Sequence, residues 1–345
     1  MAVKLTDIAN KAGVSPTTVS MILNKKDGFS YSQATVEKIT KIARELNYRP
    51  NLTARFMRVA KTNMIGVAVQ SDNSYVALQS VSLCCDSIRK LQYEPILLNL
   101  FESEKRSETN LFNRIDLLQG IICIYPNQEQ KALTICSDNN YNIPIVSLYR
   151  NAQNHSQVRE VYSDHHAAFG QAVSYLHSLG HQKIIYAGLK SDGAFRNYKK
   201  DGFMDSITNI GLEKNIAEIE EGIEANAFEA GNSIATQLLS QKKKSPMAIV
   251  CSNDELALGL IATLMRGGLK VPEDVSVIGY DDSPFAAHTL PRLTTFRQPL
   301  ELISSSAVKL LIACADGNEN QKGLLPMSLD FKSELIVRDS TTAIK

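Results

Sequence analysis

The sequence predicts an all-α head followed by an α/β body of two doubly wound parallel-sheet lobes. Three observations carry that prediction. Residues 1–61 hold eleven Lys and Arg against four Asp and Glu, a net +7, and read as short amphipathic helices; the rest of the chain carries a net −6. From Met64 onward, short apolar runs rich in β-branched residues alternate with helix-period stretches, which is the rhythm of βα units. That rhythm restarts near residue 165, so two lobes of similar fold follow one another. At 345 residues the chain exceeds one ordinary domain, and 44% apolar content supplies a core rather than disorder.

In the head, Thr6 caps a first helix over residues 7–12, with Asp7 at its positive end, and Gly13 stops it. Ser15 then caps a second helix that has Pro16 in its first position. Val19, Ile22 and Leu23 fall at i, i+3 and i+4 and face inward. Thr17, Thr18, Ser20, Met21 and Asn24 face outward. A third helix begins near Ser32 and buries Val36, Ile39, Ile42, Ala43 and Leu46. Two short helices joined by a tight glycine-containing turn and braced by a third make a helix-turn-helix, whose second helix enters the major groove of DNA. Residues 47–51 end the third helix, and 52–58 read as one or two helical turns or as a plain basic linker. A basic head on an acidic body suits a polyanionic partner, although the charge by itself fits a solvated surface equally well.

In the body, strands are expected at Met64–Val69, 95–98, 120–124 and 144–148, with helices over 75–91 and 105–117. After the restart come a helix ending at Leu179 and a turn at 180–182. Strands at 183–188, 217–222, 247–251 and 275–280 then alternate with helices at 196–210, 227–239 and 254–267. In open α/β sheets ligands bind beyond the carboxyl ends of the strands. The polar groups placed there are Ser71, Asp72, Asn73 and Tyr75, then Tyr149 and Arg150, Asp164, Asn253 and Asp254, and Asp281 and Asp282. Each has an alternative reading as a helix cap or loop residue.

Other function classes find little support. Six cysteines, at 84, 85, 123, 136, 251 and 314, form no C-x-x-C pair and read as reduced, structural thiols. The six histidines make no H-E-x-x-H set, and neither a G-x-S-x-G elbow nor a P-loop occurs. No enzyme, metal or cofactor is therefore expected, and the Asp281–Asp282 pair is read as binding rather than acid–base chemistry. The stretch MAVKLTDIANKAG has no apolar signal core and no run approaches bilayer length, so a cytoplasmic protein without a membrane partner is expected.

The head segment LTDIANKAGVSPTTVSMILN resembles that of the lactose-repressor/galactose-repressor family, matching Ile8-Ala9, Ala12-Gly13-Val14-Ser15, Thr18-Val19-Ser20 and Asn24 without a gap. The blocks LGHQKIIYAG, CSNDELALG, KVPEDVSVIGYDDSPFA and LPRLTTFRQP and the ending 331–341 are similar too, so the resemblance runs from Thr6 to Thr341. It implies a sequence-specific transcriptional regulator that acts as a homodimer on near-palindromic double-stranded operator DNA, with release of a repressor by inducer favoured over strengthening by a corepressor. It implies a body of periplasmic-binding-protein type whose chain crosses between lobes near 162, 291 and 326. The implied domains are 1–47 for the helix-turn-helix and 48–61 for a hinge. The N-terminal lobe is then 62–162 with 292–325, and the C-terminal lobe 163–291 with 326–341.

The resemblance also implies residue roles. Thr6 belongs to the DNA-binding set; Ser15, Thr18, Ser20 and Asn24 contact phosphates, and Pro16, Thr17 and Met21 read bases. Ala54, Met57 and Arg58 lie in the hinge, where Met57 takes the place of the family's leucine wedge in the minor groove. Met21 stands where the family usually has arginine, which forks onto guanine; methionine instead suits the methyl of thymine, unless it touches no base. Asn253, Asp281 and Asp164 match effector-holding positions. Lys199 replaces the effector-gripping arginine, keeping the charge without the planar fork, and nearby Arg196 compensates. Tyr149 replaces an aspartate. The expected effector is a carbohydrate or its phosphate, bound between the lobes and coupled to operator affinity by a two-state equilibrium. A solute receptor of the same fold and a regulator controlled by a protein partner are the competing readings.

Overall fold

A computed structural model describes residues 4–23, 31–46, 48, 62–69, 74–99, 115, 117–125, 128–150, 157–190, 198–212, 215–220, 226–240, 247–317 and 319–344. The chain divides into two compact units, 1–62 and 63–345.

The first unit holds α1 (Leu5–Ala12), α2 (Pro16–Leu23) and α3 (Gln33–Glu45). Ile8, Val19 and Ile39, one from each helix, are fully buried against one another's neighbours and form the head's core. Gly13 sits at φ 71° and ends α1 in the left-handed conformation that glycine adopts without strain. Ser15 accepts from the Thr18 amide at 3.0 Å, so the cap of α2 is the one expected; α3 starts where expected, and Ser32 caps it by accepting from the Thr35 amide at 3.3 Å. The start of α1 differs. The helix begins at Leu5, and the Asp7 carboxylate accepts from the Lys4 amide at 2.8 Å. Thr6 therefore lies exposed in the first turn rather than at the cap. The reason is that Asp7 reaches back one turn while Leu5 packs on the head core.

The second unit contains two parallel sheets. Its amino-terminal lobe has β1 (Met64–Val69), β2 (Glu94–Asn99), β3 (Leu118–Cys123), β4 (Ile145–Ser147), β5 (Val158–Ser163) and β11 (Ser328–Phe331). Their order is β11-β5-β4-β3-β1-β2. Alternate residues of the strands face opposite layers. Ile65, Val67, Ile122 and Val146 meet α4 (Tyr75–Lys90) and α10 (Leu300–Asp316), whereas Ile121, Cys123 and Ile145 meet α5 (Gln128–Asp138). The carboxyl-terminal lobe orders β6 (Ile184–Lys190), β7 (Asn215–Glu220), β8 (Met247–Cys251) and β9 (Val275–Ile278) as β7-β6-β8-β9. Ile185, Ile249 and Val277 pack under α8 (Ala227–Ser240) and α9 (Asp254–Arg266). Tyr186, Val250 and Ile278 pack under α6 (His165–Ser178) and α7 (Tyr198–Asn209). Both lobes are thus doubly wound, as expected. Gly231 and Gly259 let α8 and α9 touch backbone to backbone: a Cβ at Gly231 would strike the Leu256 carbonyl, and one at Gly259 the Phe228 carbonyl.

Two of the three crossings are displaced from their expected places. β11 pairs in parallel with β5, Phe331 opposite Ser163, so 328–331 belong to the amino-terminal sheet and the last crossing falls at Lys332–Ser333 instead of near 326. β10 (Thr295–Arg297) stays with the carboxyl-terminal lobe, because Gly279 donates to the Thr294 carbonyl, Asp281 to that of Phe296, and the Phe296 ring stacks on Tyr280. The second crossing therefore follows Arg297 rather than preceding 292. β12 (Glu334–Ile336) pairs antiparallel with β10, and a short α11 (Glu319–Leu324) completes the fold. The expected helix at 105–117 lies outside the described residues apart from Ile115 and Leu117. All six cysteines are free and buried.

Candidate functional site

Two sites emerge, one in each unit. In the head, Pro16 and Thr17 are exposed at the start of α2, and Thr18, Ser20 and Met21 are partly exposed along it. The Ser15 and Thr18 hydroxyls lie 2.9 Å apart, beside amides at the positive end of the helix. That arrangement offers donors to an anion such as a phosphate. α2 carries no charged side chain, so what it presents outward is hydroxyls and the Met21 thioether. Tyr31 donates its hydroxyl hydrogen to the Met21 sulfur at 3.2 Å, a pairing across ten residues that no local pattern signals. Asn24, Ala54, Met57 and Arg58 lie outside the described residues.

The second site lies in the body, where the carboxyl ends of β4, β5, β8 and β9 converge. Tyr280, fully buried just after β9, is its hub. Its hydroxyl lies 2.8 Å from His165 Nδ1, 2.9 Å from the Ser333 hydroxyl and 3.3 Å from that of Ser163. Ser163 and Ser333 are themselves 2.7 Å apart. One phenol therefore touches both the first crossing and the last. Burial, helped by the Lys199 charge, pushes the His165 pKa down to about 3, so the imidazole is neutral.

Lys199, on α7, lies with Nζ 4.4 Å from the centre of the Tyr280 ring and donates to the Ser252 carbonyl at 2.7 Å. Burial lowers its pKa, while Asp281 and Asp254 act in the opposite direction. Asp281 accepts from Gln298 Nε2 at 2.8 Å, and burial raises its pKa to about 6 against the pull of Lys199. Asp254, buried at the start of α9, accepts from the Thr295 hydroxyl at 2.5 Å and the Ser283 amide at 2.7 Å. Burial and then the Asp281 charge raise it to about 7. The Asn253 side chain accepts from the Leu256 amide at 2.9 Å and the Asp164 side chain from the Ala167 amide at 3.0 Å. Both therefore cap helices and still border the site. Arg150 places its guanidinium 4.8 Å from the Tyr198 ring centre and 5.7 Å from that of Tyr162. A small pocket opens among Arg150, Tyr162, Asp164, His165, His166 and Tyr198. Tyr149 approaches the His165 ring at 6.4 Å, and the Tyr75 amide lies 3.5 Å from Glu255 Oε1 across the lobes.

The site thus brings together Tyr149, Arg150, Asp164, Lys199, Asn253 and Asp281 among the residues expected from sequence. Ser71, Asp72, Asn73 and Arg196 lie outside the described residues. Sequence reasoning missed Tyr280, His165, Gln298 and Ser333; three of them lie inside the family-like blocks and His165 follows Asp164, but nothing local marks them as meeting. The adjacent Asp281 and Asp282 diverge: Asp282 accepts from Arg338 and from Arg297 Nε at 2.7 Å, away from Lys199. Their backbones, at φ 118° and 48°, turn the two carboxylates apart. Among the described residues no three His, Cys, Asp or Glu side chains gather as a metal site, and no helix is long and apolar enough to cross a membrane.

Comparison with known proteins gives concordant results. Residues 4–51 match the model for bacterial regulatory proteins of the lacI family, and 173–341 match that for a periplasmic binding protein-like domain. The HTH-type transcriptional repressor PurR of Vibrio campbellii is 30% identical over 342 residues, covering 97% of each chain. The probable HTH-type transcriptional repressor ExuR of Bacillus subtilis is 29% identical, covering 98% of each. A crystal structure of the Lac repressor dimer bound to operator and the anti-inducer ONPF superimposes with a TM-score of 0.81 at 26% identity, covering 99% of this chain and 100% of that one.

Proposed function

The chain belongs to the LacI family of bacterial regulatory proteins, and we propose that it is a cytoplasmic homodimeric repressor whose hold on a near-palindromic operator is released by a carbohydrate or sugar phosphate. One observation carries this reading: Lys199 and Asp281 of one lobe gather around Tyr280 and His165, whose ring Tyr149 of the other lobe approaches, while Arg150 of that lobe lies over the Tyr198 ring. Amides and carboxylates suit sugar hydroxyls, aromatic rings suit a sugar face, and Arg150 suits an anionic substituent. Nothing in this set provides a nucleophile paired with a base, and the chain is read as a sensor rather than an enzyme.

In the head, Ser15, Thr18, Ser20 and Asn24 contact phosphates, Thr6 in the first turn of α1 belongs to the same DNA-binding face, and Pro16, Thr17 and Met21 face base edges. Met57 wedges a minor-groove step beside Ala54 and Arg58. Effector closing the lobes shifts a two-state equilibrium away from the operator-binding form, by no more than its difference in affinity for the two states. The test combines two measurements. Genomic fragments are first screened with purified protein for retarded complexes. A panel of sugars, sugar acids and sugar phosphates is then screened by thermal shift, since a ligand that binds only the folded body raises its melting temperature. A stabilising compound should also release the retarded fragment. A protein that prefers no fragment, or one whose fragment no stabilising compound releases, would overturn the proposal.

A further inference from the structure

The Tyr31–Met21 contact bears on which base the head selects. The Tyr31 ring packs against the buried cluster of the head, so its hydroxyl is held in place. Met21 shares a face of α2 with Thr17, one turn earlier, and is partly exposed there. A thioether sulfur is only an acceptor. In a major groove it has two ways to discriminate: the sulfur can accept from the amino group of adenine or cytosine, or the terminal methyl can pack on the C5 methyl of thymine. Here the sulfur already accepts from the Tyr31 hydroxyl at 3.2 Å while the residue stays partly exposed, which favours the methyl as the part that reads.

We propose that Tyr31 sets the base preference of the head by occupying the Met21 sulfur, which makes residue 21 an apolar reader that selects thymine over adenine and cytosine. Tyr31 is then a positioning residue that acts through Met21. A methionine has three side-chain torsions, and a bond that orders them before DNA arrives lowers the entropic cost of docking. The inference rests on the reading that α2 enters the major groove.

The experiment selects binding sites from a randomised duplex library with the full-length protein. It compares the parent, Tyr31→Phe, Met21→Leu and the double variant, with each fold checked by circular dichroism. The parent should enrich thymine at one position of each half-site. Tyr31→Phe keeps the ring and removes the donor, so preference for thymine over adenine and cytosine should fall about 3- to 10-fold at that position alone. Met21→Leu has no sulfur and should keep the thymine preference, and adding Tyr31→Phe to it should change nothing. An unchanged profile for Tyr31→Phe, an even loss at all positions, or an equal effect of Tyr31→Phe in the leucine background would each overturn the inference. So would loss of thymine preference in Met21→Leu, which tests the idea even if Tyr31→Phe fails to fold. A parent protein that enriches no sequence would instead overturn the groove reading on which this stands.

Discussion

Asp282 is gripped by two arginines in unlike surroundings, one nearly buried and one half exposed. The Arg338 side chain is 13% exposed and that of Asp282 10%, whereas Arg297 is 53% exposed. Each arginine gives Asp282 one short hydrogen bond. Arg338 adds a second, to the Leu293 carbonyl at 2.7 Å. Arg338→Met keeps most of the stem and deletes the charge. It leaves a nearly buried carboxylate facing only a solvated partner, and removing one member of a buried pair costs ~3–5 kcal/mol. Because Arg297 still faces Asp282, the lower end, about 3 kcal/mol, is expected. Arg297→Met deletes a charge that water already screens and should cost under ~1 kcal/mol. At roughly 2–4 °C per kcal/mol, Arg338→Met should melt about 6–12 °C below the parent and Arg297→Met at most about 4 °C below it. Calorimetric scans at one protein concentration and scan rate make the comparison. Equal shifts, or a larger one for Arg297→Met, would refute the argument that the nearly buried arginine carries the greater cost.

Other expectations are equally concrete. Asp254 and Asp281 are held up to about 7 and about 6, so the folded chain binds more protons than the unfolded one from about pH 4 to those values; their contribution to stability falls as pH rises through that window. His165, held down to about 3, acts in the opposite direction between about 3 and 6.5. The melting temperature of Asp254→Asn relative to the parent should therefore climb from pH 4 to pH 7, and a constant difference would count against the protonation argument. Gly259→Ala forces α8 and α9 apart and should cost about 1–3 kcal/mol in thermal or urea unfolding; a neutral result would mean the helices separate freely. Met57→Ala should weaken operator binding in anisotropy titrations while leaving affinity for random duplex nearly unchanged, and equal losses on both would contradict a wedge.

Much of this architecture is legible in the residues themselves. Met64–Val69 is a strand to the residue, because a run of apolar and β-branched side chains between polar flanks has few other uses. Gly13, Ser15 and Ser32 announce their caps locally. Thr6 does not cap because the helix already starts at Leu5, with the Asp7 carboxylate reaching back to the Lys4 amide. β10 and β12 were invisible, since three-residue strands show no period and pair across the chain. The cleft was legible only as a list of strand-end polar residues. A cap and a ligand contact look alike in sequence, as Asn253 and Asp164 show. The opposite aims of Asp281 and Asp282 depend on two positive φ angles that no side-chain pattern encodes.

The bonds of Tyr280 to Ser163 and Ser333 tie together two strands of backbone that link the lobes. Links so fastened cannot twist independently. A swing of one lobe against the other therefore carries these two links together or breaks the bonds at this phenol, like a door hung on a shared pin. Removing the hydroxyl loosens the pin without touching the latch, so its first symptom would be altered travel between states.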